Sequence, residues 1–312
     1  MTRIGDRARR QLRPWVLSVV DRLDRRLHRE SPYPLWLECP PSADTRPRYG
    51  FGRPRHARLA EILARHEDTY RSELEAVAEF ADDLLRIEVD QDGPQEPYWN
   101  NRWFPGLDTA CLYSYVRRWK PARYVEVGSG NSTAVVARAR RDGGLTTEIT
   151  SIDPTPRRDI DALCDHVVRQ PLECVDPQLF RELEPGDVVF VDGSHRAFMN
   201  SDAVAVHLDV LPDLPDGVLL GIHDILWPDD YFPGWSEYWW NEQYLLGALL
   251  LGEPSWLQPV LATYYTSQHE ELRHVLDPLW DDPRLARVSR WGVSFWLTVD
   301  RGTRRPAAEE LQ

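Results

Sequence analysis

Hydrophobic residues recur with a helical period in two stretches of the first hundred residues. Within residues 1–30, Trp15, Val19, Leu23 and Leu27 follow a four-residue spacing, which predicts an amphipathic helix with a narrow apolar stripe. Residues 58–85 carry a broader apolar stripe and predict a second helix. The proline-rich residues 31–55 between them indicate an irregular connector.

The pattern changes after residue 106. A helix is predicted over residues 107–119, and from there short apolar runs alternate with helical segments at the spacing of βαβ units. The apolar runs are 124–127, 149–152, 167–168, 188–191, 218–222, 259–262 and 293–299, and the helical segments are 132–141, 158–164, 177–183 and 201–211. This alternation predicts an α/β fold with a Rossmann-like, doubly wound, mostly parallel sheet, whose last strand is an antiparallel edge.

These patterns divide the chain into three predicted parts. Residues 1–106 form an N-terminal helical extension and connector, residues 107–300 form the α/β domain, and residues 301–312 form a disordered tail. A length of 312 residues suits one large domain with such an extension.

Charge and cysteine content narrow the class of protein. The chain has 50 acidic and 37 basic side chains and a net charge of -13, which argues against nucleic acid as its main partner because phosphate contacts need a basic face. Its four cysteines are scattered without a C-x-x-C pair, so we expect a reducing, cytoplasmic location. Neither a signal peptide nor an apolar run of transmembrane length is recognisable, and we expect a soluble protein.

The arginine-rich helix predicted within residues 1–30 has two interpretations. It either rests on an anionic membrane or docks on its own domain or on a second subunit. Acidic residues such as Asp21 and Asp24 interrupt its basic face, which favours docking and makes the N-terminal helices a candidate homo-oligomer contact.

A glycine-rich turn follows the first predicted strand. Gly128, Ser129 and Gly130 lead from this strand into a helix, where backbone can approach a ligand closely and free N–H groups face it. Asp153 closes the next strand, the place of the acid that accepts hydrogen bonds from ribose hydroxyls in nucleoside-binding α/β folds. The alternative is a plain tight turn, with Asp153 capping a helix.

The turn resembles the first motif of class I S-adenosylmethionine-dependent methyltransferases, in which an acidic residue precedes Gly-x-Gly. The resemblance implies that Glu126 and the turn from Gly128 to Gly130 hold the methionine part of S-adenosylmethionine, that Asp153 holds its ribose, and that residues 107–300 form the methyltransferase domain. A dinucleotide dehydrogenase is disfavoured, because Thr133 stands where its third glycine is expected.

Polar residues also follow two later strands. Asp192 and His195 come after the fourth apolar run, and His223 and Asp224 come after the fifth. Because ligands bind at the carboxyl ends of strands in an open parallel sheet, we expect these residues to converge with Gly128 and Asp153. The carboxylates suit Mg²⁺ or another divalent cation, and His195 suits proton abstraction from a hydroxyl.

This second set resembles small-molecule O-methyltransferases, including macrolide-sugar enzymes and the cephalosporin hydroxylase-like group. The resemblance implies metal ligands at Asp192 and Asp224, with Asp192 also close to the cofactor, and His195 as the base. His223 departs from it, because those enzymes carry a second carboxylate there; a histidine is a third candidate ligand but favours softer ions than magnesium. The alternative is that Asp192 contacts only the cofactor and His223 ends its strand.

An aromatic segment follows the fifth apolar run and is predicted to cover the pocket before continuing as a helix through Leu250. Its candidate acceptor-binding residues are Trp227, Tyr231, Trp235, Trp239, Asn241 and Glu242. The alternative is ordinary core packing under a long loop. Residues 98–108 form a shorter aromatic stretch that either closes the pocket from the other side or packs an N-terminal arm.

The sequence therefore predicts an enzyme that transfers a methyl group from S-adenosylmethionine to a hydroxyl oxygen of a small molecule, such as a sugar, a glycoside or another natural product. The alternative from a different class is a non-catalytic cofactor-binding or scaffold protein with the same fold.

Overall fold

Seven strands form one sheet in the computed structural model, which describes residues 46–302. They are β1 (Arg123–Val127), β2 (Glu148–Ile152), β3 (His166–Val168), β4 (Val188–Val191), β5 (Leu219–Ile222), β6 (Leu257–Ala262) and β7 (Phe295–Val299). Their order is 3-2-1-4-5-7-6. The first five strands pair in parallel, and β7 runs antiparallel to β5 and β6. The predicted Rossmann-like, mostly parallel sheet is confirmed.

Helices precede the sheet and connect its strands. They are α1 (Ala57–Ala64), α2 (Glu67–Ala78), α3 (Ala81–Leu84), α4 (Gly106–Trp119), α5 (Asn131–Gly143), α6 (Gln178–Arg181), α7 (Asp202–Ala205), α8 (Glu242–Leu251), α9 (Thr263–Gln268) and α10 (Asp277–Trp280). A short π-helix, Val206–Val210, continues α7, and a 3₁₀ helix, Pro233–Tyr238, lies in the aromatic segment. The segment 158–164 has only a 3₁₀ turn, Asp161–Leu163, where a helix was predicted.

The single helix predicted over residues 58–85 is three helices. The chain leaves helical geometry at His66 (φ -107°, ψ 10°) and Phe80 (φ -99°, ψ 12°), where each next helix begins. These bends let each short helix bury its own apolar side chains against the domain, including Leu63, Tyr70 and Leu84. A periodic stripe does not reveal such bends, because the apolar spacing continues through them.

The last strand is antiparallel as predicted but does not lie at the edge. β7 is inserted between β5 and β6, and β6 is the edge strand. Burial and sequence both agree with this order. β7 is almost wholly buried, as expected of an internal strand. β6 contains Pro259, which lacks the N–H that an internal strand would need to donate.

The turning point of the strand order lies between β1 and β4. From β1, the chain builds outward to β2 and β3 on one side and to β4 and β5 on the other. A crevice forms outside the carboxyl ends of the strands at such a point, and it is where ligands bind in open α/β sheets. The residues that follow β1, β2, β4 and β5 therefore face a common crevice.

Some predictions concern residues outside this description. Three predicted segments lie wholly or mostly outside residues 46–302: the helix within residues 1–30, most of the connector 31–55 and nearly all of the tail 301–312. Within that range, no helix has the length and hydrophobicity needed to cross a bilayer.

Candidate active site

The turn between β1 and α5 touches the end of β4. Gly128 has φ +78°, and a Cβ atom there would lie 1.8 Å from the carbonyl oxygen of Asp192. Only glycine fits this position without displacing one of the two strand ends. At Gly130, by contrast, a Cβ atom would meet nothing within 4 Å, so the second glycine faces open space over the turn.

Glu126 lies near the end of β1 and forms hydrogen bonds beside the turn. Its side chain is fully buried, and its carboxylate accepts hydrogen bonds from the hydroxyl of Tyr124 (3.0 Å) and from that of Thr133. Burial raises the pKa of Glu126 to about 7, although the hydrogen bonds from Ser132, Thr133 and Tyr124 oppose this rise. The observed contacts are thus with the protein's own turn, and direct contact with a cofactor stays a prediction.

Asp153 lies beside the same turn, after β2. Its Oδ2 accepts a hydrogen bond from the backbone N–H of Ser129 (2.9 Å), and its Oδ1 accepts one from that of Thr155 (2.8 Å). The side chain is partly exposed, so its carboxylate remains available to a ligand in the crevice. The turn, the open space at Gly130 and this carboxylate fit the nucleoside and amino-acid parts of S-adenosylmethionine.

His195 lies among three carboxylates. Its Nε2 is 3.2 Å from Asp192 Oδ1 and 3.2 Å from Asp224 Oδ2, and its Nδ1 is hydrogen-bonded to Glu242 Oε2 at 3.0 Å. His195 and Asp224 both have φ 57°, a left-handed conformation that non-glycine residues seldom adopt. Such conformations cluster at functional sites, where surrounding contacts hold the strained backbone in place.

His223 lies on the other side of the same carboxylates. Its Nδ1 is 3.4 Å from Asp192 Oδ1 and 3.6 Å from Asp224 Oδ1, and its Nε2 is 3.4 Å from Asp108 Oδ2. Asp192, His223 and Asp224 each offer one ligand atom, and these atoms lie within 4.8 Å of one another. The structure therefore brings the three predicted metal ligands together, and their donor set fits a divalent cation.

Charge dominates the properties of this cluster. Burial lowers the pKa of His195, but Asp224, Asp192 and Glu242 outweigh it and raise that pKa to about 10. Burial likewise lowers the pKa of His223, and Asp224, Asp192 and Asp108 raise it above its usual range. Burial raises the pKa of Asp192, yet the two histidines hold it well below its usual range.

The cluster contains more carboxylates than imidazoles. Asp108, Asp192, Asp224 and Glu242 surround the rings of His195 and His223. The four carboxyl groups outnumber the two imidazoles, and they still do so when the ring of His207, 3.8 Å from Glu242, is counted. An excess of acidic groups in a buried cluster favours a bound cation.

A cleft of about 400 Å³ opens next to Asp224. Its other lining residues are Arg102, Trp103, Pro105, Phe232, Trp235, Trp291 and Val293. The aromatic stretch 98–108 thus lies on one side of the cleft and the aromatic segment after β5 on the other. Four aromatic rings and one carboxylate around this volume suit a small ring-containing ligand.

Only Trp235 of the six predicted acceptor-binding residues lines this cleft. Trp227 and Tyr231 are 4% and 7% exposed and belong to the packed interior. The Asn241 side chain accepts a hydrogen bond from the backbone N–H of Ala197 (2.6 Å), and Trp239 is exposed. Glu242, 1% exposed, is occupied by His195. Trp227 and Tyr231 therefore fit the core-packing interpretation, whereas acceptor binding by Trp235 stays a prediction.

Several site residues were not singled out from the sequence. Asp108 belongs to no recognised motif, and its place beside His223 depends on hydrogen bonds between α4 and the residues just before β7. Phe232 and Trp291, which both line the cleft, are far apart in the sequence, and only the fold brings their rings into contact. The one usable signal was the aromatic richness of the stretch 98–108, which contains Arg102 and Trp103.

Comparison with known proteins agrees with this site. Residues 125–225 match a protein family described as a methyltransferase domain. The match spans about a third of the chain and includes the glycine turn, Asp153 and the residues after β4 and β5. It supports S-adenosylmethionine-dependent methyltransferase activity. No curated protein matches the chain.

Three solved structures are similar at low identity. The Podospora anserina methyltransferase PaMTH1 bound to SAH has a TM-score of 0.35 and 17% identity, over 59% of this chain and 81% of that one. An O-methyltransferase from Bacillus cereus with SAH gives 0.33 and 16%, over 74% and 91%. The plantazolicin methyltransferase BpumL with SAH gives 0.36 and 12%, over 77% and 100%. Superpositions this loose do not bear on activity or substrate.

Proposed function

We propose that this chain transfers the methyl group of S-adenosylmethionine to a hydroxyl oxygen of a small molecule, with a divalent cation bound at Asp192, His223 and Asp224. The observation that carries the proposal is the close approach of Gly128 to Asp192. It joins the turn suited to the cofactor directly to the acidic cluster suited to activating a hydroxyl. Sugars, glycosides and other ring-containing natural products are the acceptors that the aromatic cleft favours.

The cofactor-binding residues in this proposal are those at the ends of β1, β2 and β4. The backbone from Gly128 to Gly130 approaches the methionine part, Glu126 keeps the turn in place, and Asp153 accepts hydrogen bonds from the ribose. S-adenosylmethionine supplies an electrophilic methyl carbon on its sulfonium sulfur. In the transfer, a carbon–oxygen bond to the acceptor forms, the carbon–sulfur bond breaks, and the acceptor's hydroxyl proton must leave.

His195 is positioned to take that proton at Nε2. The ring is held through Nδ1 by Glu242, which fixes its orientation. In the protein chain itself, the three surrounding carboxylates raise the pKa of His195 to about 10, which favours the protonated ring. A divalent cation held by Asp192, His223 and Asp224 would offset the charge of the two aspartates and would lower the pKa of an acceptor hydroxyl near it. Loss of that negative charge would favour the neutral ring, whose Nε2 would then accept the proton.

Cofactor binding is the first test. Calorimetry on the full chain should detect S-adenosylmethionine, and Asp153→Ala should weaken its binding by about 1 to 3 kcal/mol because charged hydrogen bonds to the ribose are lost. Asp159→Ala, an exposed aspartate six residues further along the chain, is the matched control and should leave the affinity unchanged. Binding of NAD without any response to S-adenosylmethionine would overturn the proposal.

Turnover is the second test. Mass spectrometry of hydroxylated ring compounds incubated with the protein and S-adenosylmethionine should show a methylated product. His195→Ala should lower the rate about 10²- to 10⁴-fold, the usual effect of removing a general base, with little change in cofactor affinity. A chelator should abolish transfer without abolishing cofactor binding. Cofactor binding without transfer to any acceptor would instead favour the non-catalytic binding protein.

A further inference from the structure

His223 is a buried ring that lies close to carboxylates without a well-formed hydrogen bond to any of them. It is 2% exposed, and its contacts with Asp108, Asp192 and Asp224 are 3.4 to 3.6 Å long within residues 46–302. The ring centroid also lies 5.2 Å from that of Phe104 and 6.1 Å from that of Phe190. A buried polar ring held by such long contacts is costly, and a cation between Nδ1 and the two aspartates would satisfy it.

The two nitrogens of His223 face different carboxylates. Nδ1 faces Asp192 and Asp224 at 3.4 and 3.6 Å, toward the crevice, whereas Nε2 faces Asp108 at 3.4 Å, away from it. A histidine that binds a metal through one nitrogen commonly donates its other N–H to a carboxylate, which fixes the tautomer and the ring orientation. The arrangement at His223 has this form.

Asp108 is itself rigidly held. It lies in the first turn of α4 and is fully buried. Its carboxylate accepts hydrogen bonds from the backbone N–H groups of Val293 (2.8 Å) and Ser294 (3.0 Å) and from the hydroxyl of Thr263 (2.7 Å). These contacts leave Asp108 little freedom to become a metal ligand and make it a fixed support for His223.

We infer that Asp108 positions His223 as a nitrogen ligand and that the centre at Asp192, His223 and Asp224 therefore discriminates in favour of borderline divalent ions, such as Co²⁺ or Zn²⁺, against Mg²⁺. This inference rests on the cation in the proposed function. An imidazole nitrogen is a good ligand for such ions and a poor one for Mg²⁺, which prefers oxygen. Asp108 adds to the preference because it raises the basicity of the nitrogen that faces the cation.

The test is a comparison of metal affinities, independent of activity. The full chain, stripped with a chelator, is titrated with Co²⁺ and with Mg²⁺ by calorimetry, and the visible absorption of bound Co²⁺ is recorded. Most sites bind Co²⁺ more tightly than Mg²⁺, so the informative quantity is the change in the Co²⁺/Mg²⁺ affinity ratio between variants. His223→Asp should lower this ratio at least tenfold and shift the Co²⁺ absorption bands.

Asp108→Asn tests the positioning residue. It should weaken Co²⁺ binding about 10- to 100-fold, the usual effect of losing a partner of a metal-binding histidine, and change Mg²⁺ binding much less. His166→Asn, at an exposed histidine on β3, is the control for adventitious binding and should change neither affinity. Circular dichroism and thermal unfolding report whether each variant is folded, and His223→Asn replaces His223→Asp if the latter is not.

The outcomes separate this inference from the proposed function. An unchanged Co²⁺/Mg²⁺ ratio in a folded His223 variant would show that His223 is not a ligand and would overturn the inference alone. Absence of specific Co²⁺ and Mg²⁺ binding in the wild-type chain would overturn the metal centre. Cofactor binding and methyl transfer, measured separately in the presence of chelator, decide whether the transferase proposal survives that result.

Discussion

Gly128 and Gly130 are two residues apart but differ in what they require. Gly128 combines a positive φ with a close approach to Asp192, so the folded protein itself needs a glycine there. Gly130 has φ 168°, an extended conformation open to any residue, and its missing side chain leaves empty space. The fold therefore accounts for the first glycine, whereas we expect the proposed cofactor to account for the second.

Alanine at these positions should separate stability from binding. Gly128→Ala should lower the free energy of unfolding by about 2 to 4 kcal/mol, because a strained φ and an overpacked contact both add cost. Gly130→Ala should leave stability within about 0.5 kcal/mol and weaken S-adenosylmethionine binding. Chemical denaturation and calorimetry on both variants would check this. Equal loss of stability in both would contradict the distinction.

Glu126 makes stability depend on pH. Its pKa of about 7 in the folded chain lies above its ordinary value of 4.5, so between these values the folded state keeps a proton that the unfolded state loses. The contribution of protonated Glu126 to the free energy of unfolding is fully present below pH 4.5. It decreases by about 1 kcal/mol per pH unit above that value and is lost as the pH rises through 7.

Glu126→Gln should remove this contribution. In denaturant unfolding of the cofactor-free protein from pH 5 to 8, the wild type should lose more stability than the variant up to about pH 7, and the two curves should run parallel above it. Parallel curves over the whole range would mean that Glu126 is not protonated in the folded state near neutral pH.

The aromatic segment between β5 and α8 serves two purposes along its length. Trp227 packs inward: its indole donates a hydrogen bond to the carbonyl of Gln243 (2.6 Å), and the ring leaves no room for a Cβ atom at Gly247 (2.7 Å). Trp235 instead faces the cleft. Residue type alone could not distinguish the two, because the difference arises from how the segment turns after β5.

Alanine substitutions should show this division. Trp227→Ala should destabilise the protein by about 3 to 5 kcal/mol, the usual cost of removing a buried tryptophan. Trp235→Ala should cost less stability than Trp227→Ala, because this ring is only partly buried although it packs against Phe232 and Trp240. It should leave cofactor affinity nearly unchanged and raise the KM for the acceptor about fivefold, through the loss of one aromatic contact. Thermal unfolding and steady-state kinetics give the two readouts. Loss of cofactor binding in Trp235→Ala would place this ring in the cofactor site instead.

The strands were predictable where burial on both faces leaves an unbroken apolar run, as in β4 and β5. Two features of the elements were not. The bends at His66 and Phe80 result from docking of α1 to α3 on the domain, and the insertion of β7 between β5 and β6 is a matter of long-range pairing. Pro259 is a sequence signal for the edge strand, because proline has no N–H to donate to a neighbouring strand.

Within residues 46–302, the chain places its candidate chemistry at one edge of one sheet. The rule that ligands bind at the carboxyl ends of parallel strands was sufficient to bring Gly128, Asp153, Asp192 and Asp224 to one crevice from sequence. The same rule could not find Asp108, which follows no strand. It also could not find the cleft, whose walls come from residues before β1 and from residues after β5.

Removal of residues 1–30 should leave the candidate site intact. Every residue assigned to it lies within residues 46–302, and the chain from Arg46 onward forms a compact unit. S-adenosylmethionine affinity should therefore change less than twofold on truncation. We expect the truncation to change the oligomeric state instead, which analytical ultracentrifugation measures. A large loss of cofactor affinity would show that the N-terminal residues contribute to the site.

The contact between Gly128 and Asp192 also has a thermodynamic consequence. The backbone N–H of Asp192 donates a hydrogen bond to the carbonyl oxygen of Val127 (2.8 Å). The ends of β1 and β4 are therefore in direct contact, next to the residues proposed to bind the cofactor and the cation. Cofactor and cation binding should then be cooperative. Because such coupling is reciprocal, the factor by which S-adenosylmethionine changes the cation's affinity must equal the factor by which the cation changes that of S-adenosylmethionine.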